Sequence, residues 1–312
     1  MEQIVVLDAA TIGENSIFDS FSNLGSLRVY ATTNSAERLQ HIDNASIIIT
    51  NKVIIDKEIM DSCPAVKLIC LTATGMNNVD LAYAKEKGIA VKNVAGYSTE
   101  SVVQHTFAIL LSLLQHTEYY SNYVSSTVYS HQTLFTHIGP GYMELNGRTW
   151  GIIGLGTIGR RVAEVATAFG CKVVYYSTSG NNHTSDYQEV DLQELLQTSD
   201  IVSIHSPLNP QTKGLISTKQ LNQMKPSAYI VNVGRGGIID EKALAQALKE
   251  KRIAGACLDV MEKEPIPLSS PLLDESIQER LLITPHVAWV SDNALKKLME
   301  LTYENVRTFV GK

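Results

Sequence analysis

Cysteine, positive charge and long apolar runs are all scarce in this 312-residue chain. The four cysteines, Cys63, Cys70, Cys171 and Cys257, form no CxxC pair and no His/Cys zinc spacing. Each lies in or beside an apolar run, which predicts buried, reduced thiols and no metal. The formal net charge is −6 without a block of lysine or arginine, so no nucleic-acid partner is expected. The longest apolar run, Phe107–Leu114, falls far short of the roughly 18 residues a membrane span requires. The opening MEQIVVLDAA reads as a strand with no basic segment or cleavage site, so no export signal is expected. These absences together predict a cytoplasmic protein.

What remains is an ordinary globular composition on a chain long enough for two domains of roughly 100–200 residues each. Short apolar, β-branched runs recur with helical patterns between them. IVVLDA, ASIIIT, VKLICLT and IAVKN precede residue 95, and TWGIIG, KVVYYS, DIVSIHSP, AYIVNVG, AGACLDV and LLITPH follow residue 148. Continuous apolar strands alternating with helices predict an α/β fold, with two doubly wound parallel sheets each covered on both faces. Between them, Ser98–Val124 carries a long helical pattern behind a Ser/Thr capping signal, suited to a rigid hinge arm. The last helical pattern, after ITPHVAW, has no strand behind it and is free to return to the first domain.

Only the later half carries a glycine turn. The strand Trp150–Ile153 runs into Gly154-Leu-Gly156-Thr-Ile-Gly159 and then an amphipathic helix. Gly154 suits the tight turn, Gly156 the approach of a pyrophosphate to backbone, and Gly159 close packing of helix on strand. That context predicts a dinucleotide site, NAD(H) or NADP(H). About 20 residues on, an acid normally bonds the ribose 2′-hydroxyl. Here Ser177 stands at that place, which leans the reading toward NADP or relaxed selectivity. No arginine follows to neutralise a 2′-phosphate; His183 is the nearby basic residue.

Hydride transfer to a 2-keto acid needs a cation to hold the substrate, an acid to protonate the new alkoxide, and a group to tune that acid. Three strand ends supply candidates. Arg235 sits among Gly234, Gly236 and Gly237 after one strand, Glu264 follows a second, and His286 follows a third behind a proline. Taken singly, a surface ion pair, a solvated carboxylate and a structural histidine would explain them. Together they share the carboxyl edge where ligands of such folds bind. A carboxylate beside His286 would stabilise imidazolium and keep it a competent acid.

The stretches GLGTIG, HSPLNPQTKGLI, VNVGRGGIIDEKAL, LDVMEKEP and ITPHVAW resemble the D-isomer-specific 2-hydroxyacid dehydrogenase family nearly end to end. TATGMNNVD and GYSTESVVQHTFAILL look most like its glycerate dehydrogenase/hydroxypyruvate reductase branch. The resemblance implies a flavodoxin-like substrate domain, residues 1–100 and 286–312, and an inserted Rossmann dinucleotide domain, residues 101–285, joined by hinge helices. It implies Arg235, Glu264 and His286 as catalytic residues, with Thr74 and Gly75 holding the substrate carboxylate. It assigns cofactor contacts to Thr157, Ile158, Ser177, Ser206, Pro207, Thr212, Val233, Gly234 and Arg235, with Asp259 near the nicotinamide and supporting Arg235. The implied substrate is a small D-2-hydroxy or 2-keto acid such as glycerate, hydroxypyruvate or glyoxylate. A homodimer is implied as well, burying the Phe107–Leu114 face of the helix near Gln104–Gln115. Asn77 and Tyr129 depart from the family's usual Asp and Trp. Two rival readings share the fold: a dinucleotide-sensing corepressor, and an oxidoreductase of formate or phosphite. The first would carry a disordered recruiting arm, and the formate enzymes of the second usually pair the histidine with Gln, where Glu264 stands here.

Overall fold

The structure, a computed structural model, describes residues 1–311. It divides into two compact units, residues 1–98 with 290–312, and residues 99–289.

In the first unit five parallel strands, β1 (Glu2–Val6), β2 (Gly25–Val29), β3 (Ile47–Thr50), β4 (Leu68–Leu71) and β5 (Ala90–Lys92), lie in the order β2-β1-β3-β4-β5. Two of the three inner strands, Ile47–Thr50 and Leu68–Leu71, are buried at every position, as a sheet covered on both faces requires. One covering layer is the helix Asp292–Phe309, whose buried residues Ala294, Leu298, Met299, Thr302 and Val306 repeat at helical spacing. Ser291 caps it by accepting the amide of Ala294 at 3.2 Å.

In the second unit seven parallel strands, β6 (Thr149–Ile153), β7 (Lys172–Tyr176), β8 (Gln188–Glu189), β9 (Ile201–Ile204), β10 (Tyr229–Asn232), β11 (Gly255–Leu258) and β12 (Leu281–Ile283), run in the order β12-β11-β10-β9-β6-β7-β8. The order reverses between β6 and β9, the crevice where doubly wound sheets take their ligands. Trp150 is fully buried there and donates its indole N–H to Ser203 Oγ at 2.8 Å. The unit ends at Trp289 rather than 285 because the backbone of Val287 and Ala288 is bound to Asp259, after β11.

Two expectations are corrected. The hinge pattern is not one helix but two, Thr99–Leu114 and Thr117–Ser125, separated at His116, whose φ of 52° is left-handed. Nor is the Phe107–Leu114 face left for a second subunit. Phe107, Ile109, Leu110 and Leu114 are buried in the second unit's own core, and the Phe107 ring lies 4.8 Å from that of Trp150. The four cysteines are buried thiols. Burial pushes Cys70 up to about 12 and Cys171 up to about 11, so neither is a thiolate at neutral pH.

Candidate active site

The glycine turn follows β6 directly. Gly154 has φ 94°, and a side chain there would come within 2.9 Å of the Ser206 amide nitrogen. A side chain on Gly159 would strike the carbonyl oxygen of Gly154, so the helix Thr157–Ala168 rests on the strand with no room between. A Cβ on Gly156, by contrast, would meet nothing. The turn is thus tight where helix meets strand and open on the side that a phosphate would approach, with Thr157 and Ile158 in the helix's first turn.

Whether these residues fit a dinucleotide can be judged from their unsatisfied groups. Ser177 Oγ, one residue past β7, and Ser206 Oγ, two past β9, are buried without a hydrogen-bond partner. Buried hydroxyls are normally paired, and two orphans flanking the glycine turn fit a ligand with ribose and phosphate oxygens. His205, also at this crevice, is pushed down to about 3 by burial and stays neutral. Thr212 is tied into its own loop. Its hydroxyl donates to the Pro207 carbonyl at 2.7 Å and accepts the Asn209 amide at 2.9 Å, so it shapes the loop from inside. Val233 is buried, and the Gly234 amide donates to Asn232 Oδ1 at 3.1 Å.

Glu264 and His286, 22 residues apart, form a pair with Glu264 Oε2 2.7 Å from His286 Nδ1. Glu264 Oε1 accepts the Met261 amide at 3.0 Å, which fixes the carboxylate's orientation. With Nδ1 engaged, Nε2 is the ring nitrogen left to exchange a proton with a substrate. The two side chains keep 31% and 23% of their surface exposed, enough for a ligand to reach them. His286 has φ 56°, a left-handed backbone uncommon for a side-chain-bearing residue and costing on the order of 1 kcal/mol or more.

Asp259 holds that conformation. Its carboxylate is fully buried and accepts the amides of Val287 (2.9 Å) and Ala288 (2.8 Å) and the Thr284 hydroxyl (2.6 Å). His105 Nε2 lies 3.4 Å from the same carboxylate and 2.9 Å from Thr284 Oγ1. Burial works to raise the Asp259 pKa, but the His105 and Thr284 side chains and the two amides outweigh it and hold the group below its ordinary value. The expected support of Arg235 by Asp259 is therefore corrected: the carboxylate's oxygens bind the His286 segment. Arg235 is held instead by Asn232, a residue the sequence did not single out, whose side-chain amide donates to the Arg235 carbonyl at 2.9 Å. Its guanidinium donates to the Gly234 carbonyl at 2.7 Å. A side chain on Gly236 would strike the Met261 carbonyl, so the arginine's turn packs directly on the segment leading to Glu264.

Thr74 and Gly75 belong to the first unit, in the turn after β4. There Thr74 Oγ1 donates to the Val94 carbonyl at 3.0 Å, and Asn93 donates to the Thr74 carbonyl at 2.7 Å. Among the described residues, no group of three His, Cys, Asp or Glu side chains could hold a metal ion.

The sequence pattern described as the D-isomer-specific 2-hydroxyacid dehydrogenase NAD-binding domain matches residues 107–288. A hydroxypyruvate reductase of Blautia hydrogenotrophica is 34% identical over 314 residues, covering 99% of this chain and 97% of its own. A glycerate dehydrogenase of Methylorubrum extorquens is 35% identical over 281 residues, 90% of this chain and 88% of its own. Among solved structures, the D-lactate dehydrogenase of Aquifex aeolicus, complexed with NAD and lactic acid, superposes with a TM-score of 0.87 at 29% identity over 98% of this chain and 95% of that one. With the glycine turn, the Glu264–His286 pair and these full-length likenesses in agreement, the chain belongs to the D-isomer-specific 2-hydroxyacid dehydrogenase family.

Proposed function

We propose that this oxidoreductase interconverts a small D-2-hydroxy acid and its 2-keto acid, with glycerate/hydroxypyruvate or glyoxylate as substrate. The observation that carries the reading is the 2.7 Å Glu264–His286 pair, which leaves one imidazole nitrogen to donate. The nicotinamide cofactor, when bound, supplies or accepts the hydride at the acid's C2. Gly154, Gly156, Thr157, Ile158, Gly159, Ser177, Ser206, Val233 and Gly234 are the residues that would hold it, and Thr74 and Gly75 are the candidates for the substrate carboxylate. Arg235 grips and polarises the keto acid. His286 protonates the alkoxide oxygen in reduction, while Glu264 orients the ring through Nδ1. Oxidation needs the neutral ring as base, so its rate should peak at higher pH than that of reduction.

Replacement of the ribose-binding acid by Ser177 supports NADP or relaxed cofactor selectivity, since a 2′-phosphate meets no carboxylate there. We further propose a cytoplasmic homodimer. Four buried free thiols support the compartment. The exposed Leu134, Phe135 and Ile138, at 68%, 90% and 90%, support a second subunit covering the 117–142 segment.

The test follows NADH and NADPH absorbance with hydroxypyruvate, glyoxylate, pyruvate and phosphite. Turnover of the first two, lowered about 10²–10⁴-fold in His286→Gln with cofactor binding intact, is the expected result. Near-normal turnover by His286→Gln across pH would remove the assignment, and inactivity of the native enzyme on all four would favour a dinucleotide sensor.

A further inference from the structure

Two arginines stand side by side after Gly159, and the structure treats them differently. Arg161 is bracketed by carboxylates, with Nε 3.2 Å from both oxygens of Glu100 and Nη1 2.7 Å from Glu164. The Arg160 guanidinium donates to a neutral group, the backbone carbonyl of His183, at 3.0 Å. That bond ties the helix bearing the glycine turn to the loop that leaves β7 through Ser177. It also brings a cation to the loop that follows Ser177, from an element on which the usual pattern does not place it.

His183 itself is poorly suited to be that cation. Its Nδ1 lies 2.6 Å from Glu189 and its Nε2 2.7 Å from the Gly180 carbonyl, so both ring nitrogens are engaged and a carboxylate matches its charge. Arg160 has the opposite balance. It lines a groove of about 440 Å³ with Gly156, Thr157 and Asn182 at the open side of the glycine turn, where the other charged groups, Glu100, Glu164 and Arg161, are paired with one another. A few residues along the same loop, Ser177 offers a buried hydroxyl without a partner. A planar guanidinium bonded to the loop that carries a free hydroxyl supplies the two donor types that bind a phosphate monoester.

We infer that Arg160, with Ser177, binds the 2′-phosphate of NADP, so that cofactor choice in this chain is set by a helix arginine reaching across to the ribose loop. The inference rests on the proposed lean toward NADP and deepens it by naming the cation which that reading lacked. Thr157, exposed at the helix's first turn, is nearer in sequence to the pyrophosphate amides. A loss confined to the 2′-phosphate therefore separates Arg160's role from general anion binding.

The experiment is calorimetric titration of the full-length protein with NADPH, NADH, adenosine 2′,5′-bisphosphate and 5′-AMP, for the native chain and for Arg160→Ala and Arg160→Lys. The native chain is expected to bind the 2′-phosphorylated member of each pair more tightly. Arg160→Ala should weaken NADPH and the bisphosphate by about 10–100-fold while NADH and 5′-AMP stay within about twofold, and Arg160→Lys should recover part of the loss. Equal weakening of NADH and NADPH would assign Arg160 to the pyrophosphate and overturn the inference. Unchanged binding of all four by Arg160→Ala would overturn it as well. A native chain that preferred NADH and ignored the bisphosphate would instead defeat the underlying cofactor reading, an outcome visible before any variant is made. An unchanged thermal midpoint for Arg160→Ala guards against reading misfolding as lost affinity.

Discussion

The two units are built on the same plan and differ at the point where that plan normally takes a ligand. Each is a parallel sheet whose strand order reverses once, between β1 and β3 in the first and between β6 and β9 in the second. In the first, Asp8 fills the reversal. It is 6% exposed and accepts the amides of Asn51 (2.9 Å), Lys52 (2.7 Å) and Val53 (3.3 Å), so the amides just past β3 are satisfied from within the chain. In the second, the corresponding turn carries Gly154 and no side chain, and the hydroxyl of Ser206 beside it is left without a partner. The doubly wound sheet supplies oriented amides in both units. Whether they become a binding site depends on whether a side chain has already taken them.

That contrast is open to direct attack. Asp8→Ala should orphan the amides of Asn51 and Lys52 at roughly 1 kcal/mol each, lowering the stability of the first unit by about 2 kcal/mol, while the Val53 amide keeps the Thr50 hydroxyl as acceptor at 3.1 Å. Unfolding curves and faster amide exchange at Asn51–Val53 would register it, while NAD(P)H affinity should be unchanged. A tenfold loss of cofactor affinity with stability intact would mean that Asp8 is not simply an internal plug. Ser206→Ala is the mirror experiment with a smaller effect. Because its hydroxyl has no partner, stability should move by less than about 0.5 kcal/mol. Cofactor affinity should fall by about three- to tenfold, the worth of one hydrogen bond. If instead Ser206→Ala destabilised the protein and left binding alone, the second unit's crevice would be as closed as the first's.

The same contrast marks how far the sequence could be read. Among the described residues, ten of the twelve strands announce themselves as apolar runs because they lie in sheets covered on both faces. The two that do not, Gly25–Val29 and Gln188–Glu189, are edge strands, where one side faces no neighbour and polar residues are tolerated. Arg235, Glu264 and His286 could be named as candidates from the sequence because chemistry at strand ends would need those residue types, and the Glu264–His286 contact was the part of that set a sequence could anticipate. Asn232, His105 and Thr284 were not, since a buried polar residue in a strand or helix gains its meaning only from partners remote in the chain. His105 meets Thr284 across 179 positions. Asp259 was named from the sequence but not in its direction, because which amides a buried carboxylate collects depends on the path of the next loop.

Asp259 is also the second unit's counterpart to Asp8, a buried carboxylate collecting amides, and its titration gives the finest test of the comparison. Its folded-state pKa lies below the ordinary value, so it contributes stability above that value, lost as pH falls through the lower, folded one. Asp259→Asn keeps one acceptor oxygen but turns an NH₂ group toward donors it cannot accept. At pH 6 the variant should be less stable than the native protein, and the gap should narrow as acid protonates Asp259 in the native chain. Denaturant midpoints measured in parallel from pH 6 to pH 3 read this difference directly, because every other carboxylate is common to both proteins. A constant gap over that range would mean that folding leaves the Asp259 pKa unchanged, and a gap that widened in acid would mean that the folded protein holds it protonated; either way the left-handed His286 segment would need another anchor.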